Sequence, residues 1–127
     1  MLALGLEKNV FFVGNVSGED LYSYYSLCDL FVLPSTGEGF GIVFLEAMYH
    51  KKACVGADAA AIPEVVSNRE TGILCDVNNQ DLLVDSIVEL LKDEKMSKTF
   101  GVAGYQKYQK EFSFEKFQEK LEKILCS

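Results

Sequence analysis

Two carboxylates, Glu38 and Glu46, stand with seven residues between them in the stretch P-S-T-G-E-G-F-G-I-V-F-L-E-A-M-Y, Pro34 to Tyr49. Glu38 is flanked by Gly37 and Gly39, and Gly41 follows two residues on. An acid in such a turn is either an exposed loop residue or an anion held beside a helix N-terminus, where the dipole favours it by roughly 0.3–1 kcal/mol. Glu46 is the only charged residue from Gly39 to Tyr49. Its neighbours are Ile42, Val43, Phe44, Leu45, Ala47 and Met48. A helix with one face in water normally shows several polar positions there. A lone carboxylate in apolar surroundings needs hydrogen-bond donors. Glu46 is therefore either an isolated surface acid or a carboxylate that accepts from ligand hydroxyls, those of a sugar or a ribose.

The elements that must position these acids are a strand, a turn and a helix. The apolar run Leu30 to Leu33 ends at Pro34, the glycine-rich turn follows, and a helical pattern starts near Gly41 and ends about His50. This arrangement aims backbone N–H groups at an anion. Both acids can face one cleft at the C-terminal end of the strand.

The rest of the chain alternates strands and helices. Met1 to Leu6 reads as the end of a helix, with Gly5 as its C-cap. Val10 to Val13 reads as a strand. Ser17 to Asp20 has capping-box spacing, and Leu21, Tyr24, Tyr25 and Cys28 follow at helical spacing. Ala53 to Gly56 and Gly72 to Cys75 read as two further strands, bringing the total to about four. Ile62 to Val66 suits a short helix with Pro63 in its first turn. Asn78 or Asn79 can cap a helix with Leu83, Ile87, Leu90 and Leu91 on one face. Helical stretches follow over Met96 to Lys110 and Ser113 to Leu125, the last with Phe114, Phe117, Leu121 and Ile124 on one stripe. Such alternation predicts an α/β domain, a three-layer Rossmann-like α/β/α sandwich on a short parallel sheet, with the C-terminal helices packed outside. Residues 1–127 form a single domain, without repeats or linkers.

Composition excludes several functions. With 49% hydrophobic residues the chain can bury a core, and a net charge of -7 argues against a nucleic-acid surface. No His, Cys and acid cluster has metal-ligand spacing. Ser35 lacks the setting of a nucleophile elbow. His50, the only histidine, falls at a helix end, and Arg69, the only arginine, lies in a polar loop. Tyr22, Tyr24, Tyr25, Tyr105 and Tyr108 read as core or rim. Cys28, Cys54, Cys75 and Cys126 contain no C-x-x-C pair and read as buried thiols of a reducing compartment. No apolar run approaches membrane-spanning length.

Together these residues resemble the C-terminal part of the GT-B glycosyltransferases, specifically the retaining family 4 group. N-V-F-F-V-G-N-V, C-D-L-F-V-L-P-S, A-I-P-E-V-V and E-T-G-I-L-C look like successive family segments, and G-E-G-F-G-I-V-F-L-E-A-M carries the family's two-glutamate signature. The resemblance implies a donor-binding domain for a nucleotide sugar that is UDP-, GDP- or ADP-linked, transferring its sugar with retention and usually without a metal or other cofactor. Glu38 would be the catalytic-site acid that holds hydroxyls of the donor sugar. The loop through Gly39 belongs to the same site, and the N–H groups of Phe40 and Gly41 would contact that sugar. The N–H of Ile42 would face the pyrophosphate and Glu46 would take the ribose hydroxyls. Asn15 and Val16 would lie against the base.

The resemblance has departures. Where the family has a helix-ending glycine, this chain has Lys51, and where it often has Gly-Gly, this chain has Ala60-Ala61, whose side chains would narrow the site. On this resemblance the family's N-terminal acceptor domain and first two strand–helix units would fall outside these 127 residues. The resemblance thus implies a fragment of a transferase, inactive by itself, or a truncated, non-catalytic module that binds a nucleotide or packs against a partner. The compartment implied is the cytoplasm, in the parent protein at the inner face of a membrane. In the family's strand order, 3-2-1-4-5-6, Val10–Val13 and Leu30–Leu33 would be separated by two empty positions. Either Val10–Val13 collapses onto Leu30–Leu33 or a second copy pairs with the open edge as a homodimer. An exposed apolar patch is expected around Phe40, Ile42 and Tyr49.

Overall fold

The computed structural model describes residues 4–37 and 39–126. Helix α1, Gly18–Leu27, leads into strand β1, Leu30–Leu33. Helix α2, Ile42–Tyr49, strand β2, Ala53–Ala57, and the short helix α3, Ile62–Val65, come next. Strand β3, Gly72–Cys75, precedes helices α4, Gln80–Lys92, and α5, Glu94–Lys107. A π-helical turn over Tyr108–Phe112 joins α5 to α6, Phe114–Leu125.

The sheet is parallel, in the order β1-β2-β3, with Phe31 level with Cys54 and Cys54 level with Gly72. Every residue of β2 and β3 is buried, which is why both read as unbroken apolar runs. One face of the sheet, with Phe31, Leu33, Cys54 and Leu74, packs on Phe44 and Met48 of α2 and Ile62 and Val65 of α3. The other, with Val32, Val55 and Ile73, packs on Leu83, Ile87 and Leu90 of α4 and Phe100 of α5. Phe44 and Met48 are fully buried, and burial of side chains this size stabilises by about 1.5–3 kcal/mol each. The three-layer α/β architecture is thus the expected one.

Helix starts follow their capping residues. Ser17, Asn79 and Ser113 each accept a hydrogen bond from an N–H in the first turn, at Asp20, Leu82 and Lys116. Asp93 caps α5 through Met96 N, so that helix starts two residues before the expected Met96. Pro63 lies in the first turn of α3, as expected.

Val10 to Val13 is a correction. Among the described residues the sheet has three strands, and this segment is not one of them. All four side chains are exposed, Phe11 at 77% and Phe12 at 82%. β1 pairs only with β2, so the collapse of Val10–Val13 onto β1 does not occur. An apolar run signals a buried strand only where a neighbouring strand exists to receive its backbone groups. Other expectations also shift. Of the α1 residues at helical spacing only Tyr25 is buried, while Leu21 and Tyr24 stay exposed. Leu91 of α4 is exposed, and Ser86 is buried instead. Cys54 and Cys75 are buried, but Cys28 is only half-buried and Cys126 is exposed; all four are free thiols. The expected helix end at Met1–Leu6 falls partly outside the described residues; Gly5 does take a positive φ of 65°.

Candidate functional site

The site is built where β1 hands over to α2. The chain leaves β1 at Pro34 and turns through Gly39 and Phe40, both exposed, to Gly41. Gly41 is the N-cap of α2, at φ 78°, a left-handed conformation that glycine adopts without steric cost. A Cβ there would also press on the Phe44 ring at 3.2 Å. Gly41 offers no side chain to cap α2, and the helix's first turn holds no acid. A helix start with glycine at the N-cap and an exposed Ile42 at its mouth suits an anionic ligand. Glu38, between the two exposed glycines, lies outside the described residues.

One turn further on, Glu46 is half-buried. It is not an isolated surface acid. The Tyr25 hydroxyl donates to its Oε2 at 2.9 Å, from a helix 21 positions earlier in the chain. Burial, and then the bond to Glu46, push the Tyr25 hydroxyl well above its ordinary pKa of 10.0, so it stays protonated and remains a donor. His50 Nδ1 donates to the Glu46 backbone carbonyl at 2.9 Å. The His50 ring stacks on Tyr25 at 5.5 Å and meets Tyr22 edge-on at 4.2 Å.

Around Glu46 opens a cleft of about 480 Å³. Helix α1 lines it with Gly18, Leu21, Tyr22 and Tyr25, and α2 with Ile42, Leu45, Glu46, Tyr49 and His50. Tyr108 of the π-helical turn completes the wall. The α2 residues fall at i, i+3, i+4, i+7 and i+8, one face of a helix. An apolar, aromatic wall with one carboxylate and several hydroxyls suits a ligand that carries a planar ring and a diol. Of the expected site residues, Ile42 and Glu46 share this cleft. Asn15 is exposed and Val16 half-buried, and neither lines the cleft, whose nearest lining residue in the chain is Gly18. Tyr22, Tyr25, His50 and Tyr108 were not singled out as site residues by sequence reasoning. Their helical spacing signalled only core or rim, and the Tyr25–Glu46 pairing is tertiary.

Phe40, Ile42 and Tyr49 are exposed at 47%, 63% and 44%, which gives the expected patch. The C-terminal segment touches but does not cover it: Phe40 meets Phe112 edge-on at 6.0 Å, and Tyr49 meets Tyr108 at 5.6 Å. Among the described residues no group of three or more His, Cys, Asp and Glu is placed to hold a metal ion. No helix there is long and apolar enough to cross a membrane.

A profile described as glycosyl transferases group 1 matches residues 1–107. This chain belongs to the group 1 glycosyl transferases. N-acetyl-alpha-D-glucosaminyl L-malate synthase of Bacillus anthracis is 33% identical over 121 residues, 95% of this chain and 31% of that protein. The sucrose-phosphate synthase of Thermosynechococcus elongatus superposes with a TM-score of 0.91 at 28% identity, over 98% of this chain and 31% of the other. Anabaena Alr3699/HepE, solved in complex with UDP, also superposes at 0.91, with 27% identity, over 98% of this chain and 34% of its own. The group 1 chain described here thus spans about a third of the length of these relatives.

Its two departures from the pattern have a common geometry. Lys51 takes φ 57° and Ala60 takes φ 53°, both left-handed. At Lys51 this closes α2 in a Schellman motif: Lys52 N–H bonds the Ala47 carbonyl and Lys51 N–H bonds the Met48 carbonyl, each at 3.0 Å. A lysine therefore occupies a position that glycine fills without strain, and its ammonium sits 5.0 Å from the Tyr105 ring centre. Arg69, expected to be solvated, pairs with Glu89 at 2.6 Å while remaining 55% exposed.

Proposed function

We propose that this chain is the donor-binding part of a retaining, family 4 glycosyltransferase that takes a sugar from a UDP-, GDP- or ADP-linked donor. The observation that carries this reading is the placement of Glu46, half-buried in an aromatic cleft one turn from a helix start with glycine at its N-cap. The N–H groups at the start of α2, that of Ile42 first, receive the diphosphate, where the helix dipole and backbone amides favour negative charge. These amides, rather than a metal ion, hold the leaving diphosphate as the bond to the sugar breaks. Glu46 accepts from the ribose diol. Glu38 and the N–H groups of Phe40 and Gly41 hold the sugar, and the Asn15–Val16 loop borders the base. The Anabaena relative solved with UDP supports the ligand class. The acceptor side of the reaction belongs to polypeptide beyond these 127 residues.

Calorimetric titration of the chain with UDP, GDP and ADP tests the reading. One of the three should bind, and Glu46→Gln should weaken it by about tenfold or more, since a hydrogen bond to a charged group contributes about 1.5–3 kcal/mol. Binding unaffected by Glu46→Gln would contradict the role given to this acid.

A further inference from the structure

The bond from Tyr25 to Glu46 asks what fixes the acid in its cleft. Glu46 is on a helix surface and half-buried, so several side-chain rotamers are open to it. The one it adopts brings Oε2 to the Tyr25 hydroxyl at 2.9 Å. That hydroxyl has a single proton. Its other neighbour, the Val43 carbonyl, is farther away at 3.4 Å and uncharged. The carboxylate is the stronger acceptor and takes the proton. Tyr25 itself cannot swing away. It is 7% exposed, with His50 stacked on one side and the Phe31 ring tilted against it at 5.6 Å. His50 in turn grips the Glu46 backbone through Nδ1. Main chain and side chain of Glu46 are thus held by two residues that stack on each other.

We propose that Tyr25 is a positioning residue for ligand recognition: it occupies Oε2 of Glu46, and the remaining Oε1 accepts from a vicinal diol of the ligand. The inference rests on the reading of Glu46 as a diol-binding acid and adds the group that aims it. A free carboxylate has to lose rotamer freedom when it binds a diol, and one already fixed by Tyr25 has lost it beforehand. His50 backs the tyrosine and does not touch the ligand diol in this account.

The test compares a nucleoside diphosphate that binds the chain with its 2′,3′-dideoxy counterpart, by calorimetry, on wild type and Tyr25→Phe. Phenylalanine keeps the ring, its stacking and the fold. Wild type should prefer the ribose form by about tenfold or more. Tyr25→Phe should reduce that preference to about threefold or less, read as the ratio of the two affinities. A merely structural tyrosine would weaken both ligands alike. In a Glu46→Gln background the Tyr25→Phe change should no longer alter the ratio, since the two groups act as a pair. A ratio that survives Tyr25→Phe intact overturns the role of Tyr25 and leaves the reading of Glu46 standing. A wild type that does not distinguish the two ligands, or binds neither, overturns the reading of Glu46 and the role of Tyr25 together.

Discussion

Gly101 of α5 lies so close against the Lys51 carbonyl that no Cβ fits between them. The atom it would strike is backbone, at the end of the helix that carries Glu46, so it has no side chain to swing aside. Gly104, one turn later, rests on Met48 of the same helix. Helix α5 therefore sets the height of α2 above the sheet, and with it the position of the cleft. Gly101→Ala should cost about 2 kcal/mol or more in urea denaturation, despite the better helix propensity of alanine. A variant as stable as wild type would show that α5 approaches α2 less closely.

Ala60 should respond in the opposite direction. It is exposed and held left-handed at φ 53°, in the loop between β2 and α3. A left-handed L-residue carries about 1–2 kcal/mol of strain, and glycine there gives back about 0.4–1 kcal/mol through the unfolded chain. Ala60→Gly should therefore stabilise by about 0.5–1 kcal/mol in the same measurement. Lys51→Gly should gain less, because the contact of the ammonium with Tyr105 is lost with the side chain.

Stability should fall at alkaline pH. Burial pushes the Cys54 thiol above its ordinary value of 9.0 and, with the Glu46 bond, pushes the Tyr25 hydroxyl above 10.0. Both groups keep their protons in the folded chain when the unfolded chain has begun to release them. Their contribution is whole below the ordinary values and is lost as pH rises above about 9, with a slope of up to about 1.4 kcal/mol per pH unit for each group. Cys54→Ala should flatten the first part of this decline. Equal pH profiles for the two proteins between 8.5 and 10, on the order of the range set by free thiols, would contradict this.

Helix α6 has no buried residue, and Phe114, Phe117 and Leu121 of its apolar stripe remain exposed. It packs chiefly on the π-helical turn. Truncation after Ser113 should change stability by no more than about 1 kcal/mol, while removal of its apolar surface should lower binding of a hydrophobic dye. A large loss of stability would show that α6 supports the core.

How much of this was legible follows from which interactions are local. β2 and β3 could be read from their apolar runs, and the start of α1 from the capping-box spacing at Ser17; for α4 either Asn78 or Asn79 could cap, and it is Asn79 that does. The turn into α2 could be read from its glycines, and Gly41 takes the left-handed conformation that only a side-chain-free residue adopts freely. Val10–Val13 was misread because an apolar run looks the same whether or not a neighbouring strand is there to pair with it. The partner of Glu46 was hidden for a different reason. Tyr25 and Glu46 lie on two helices joined through a strand, and helical spacing states which face a tyrosine shares but not which carboxylate its hydroxyl meets. The approach of Gly101 to Lys51 is likewise a property of packing.

Amide chemical-shift mapping during titration with the nucleoside diphosphate that binds tests the central claim most directly. The account predicts that the largest changes fall on the N–H groups of Ile42 and Val43 at the start of α2, on Glu46, and on Gly18 across the cleft. Changes confined to a second surface depression, around Cys28, Lys52 and Lys98, would contradict it.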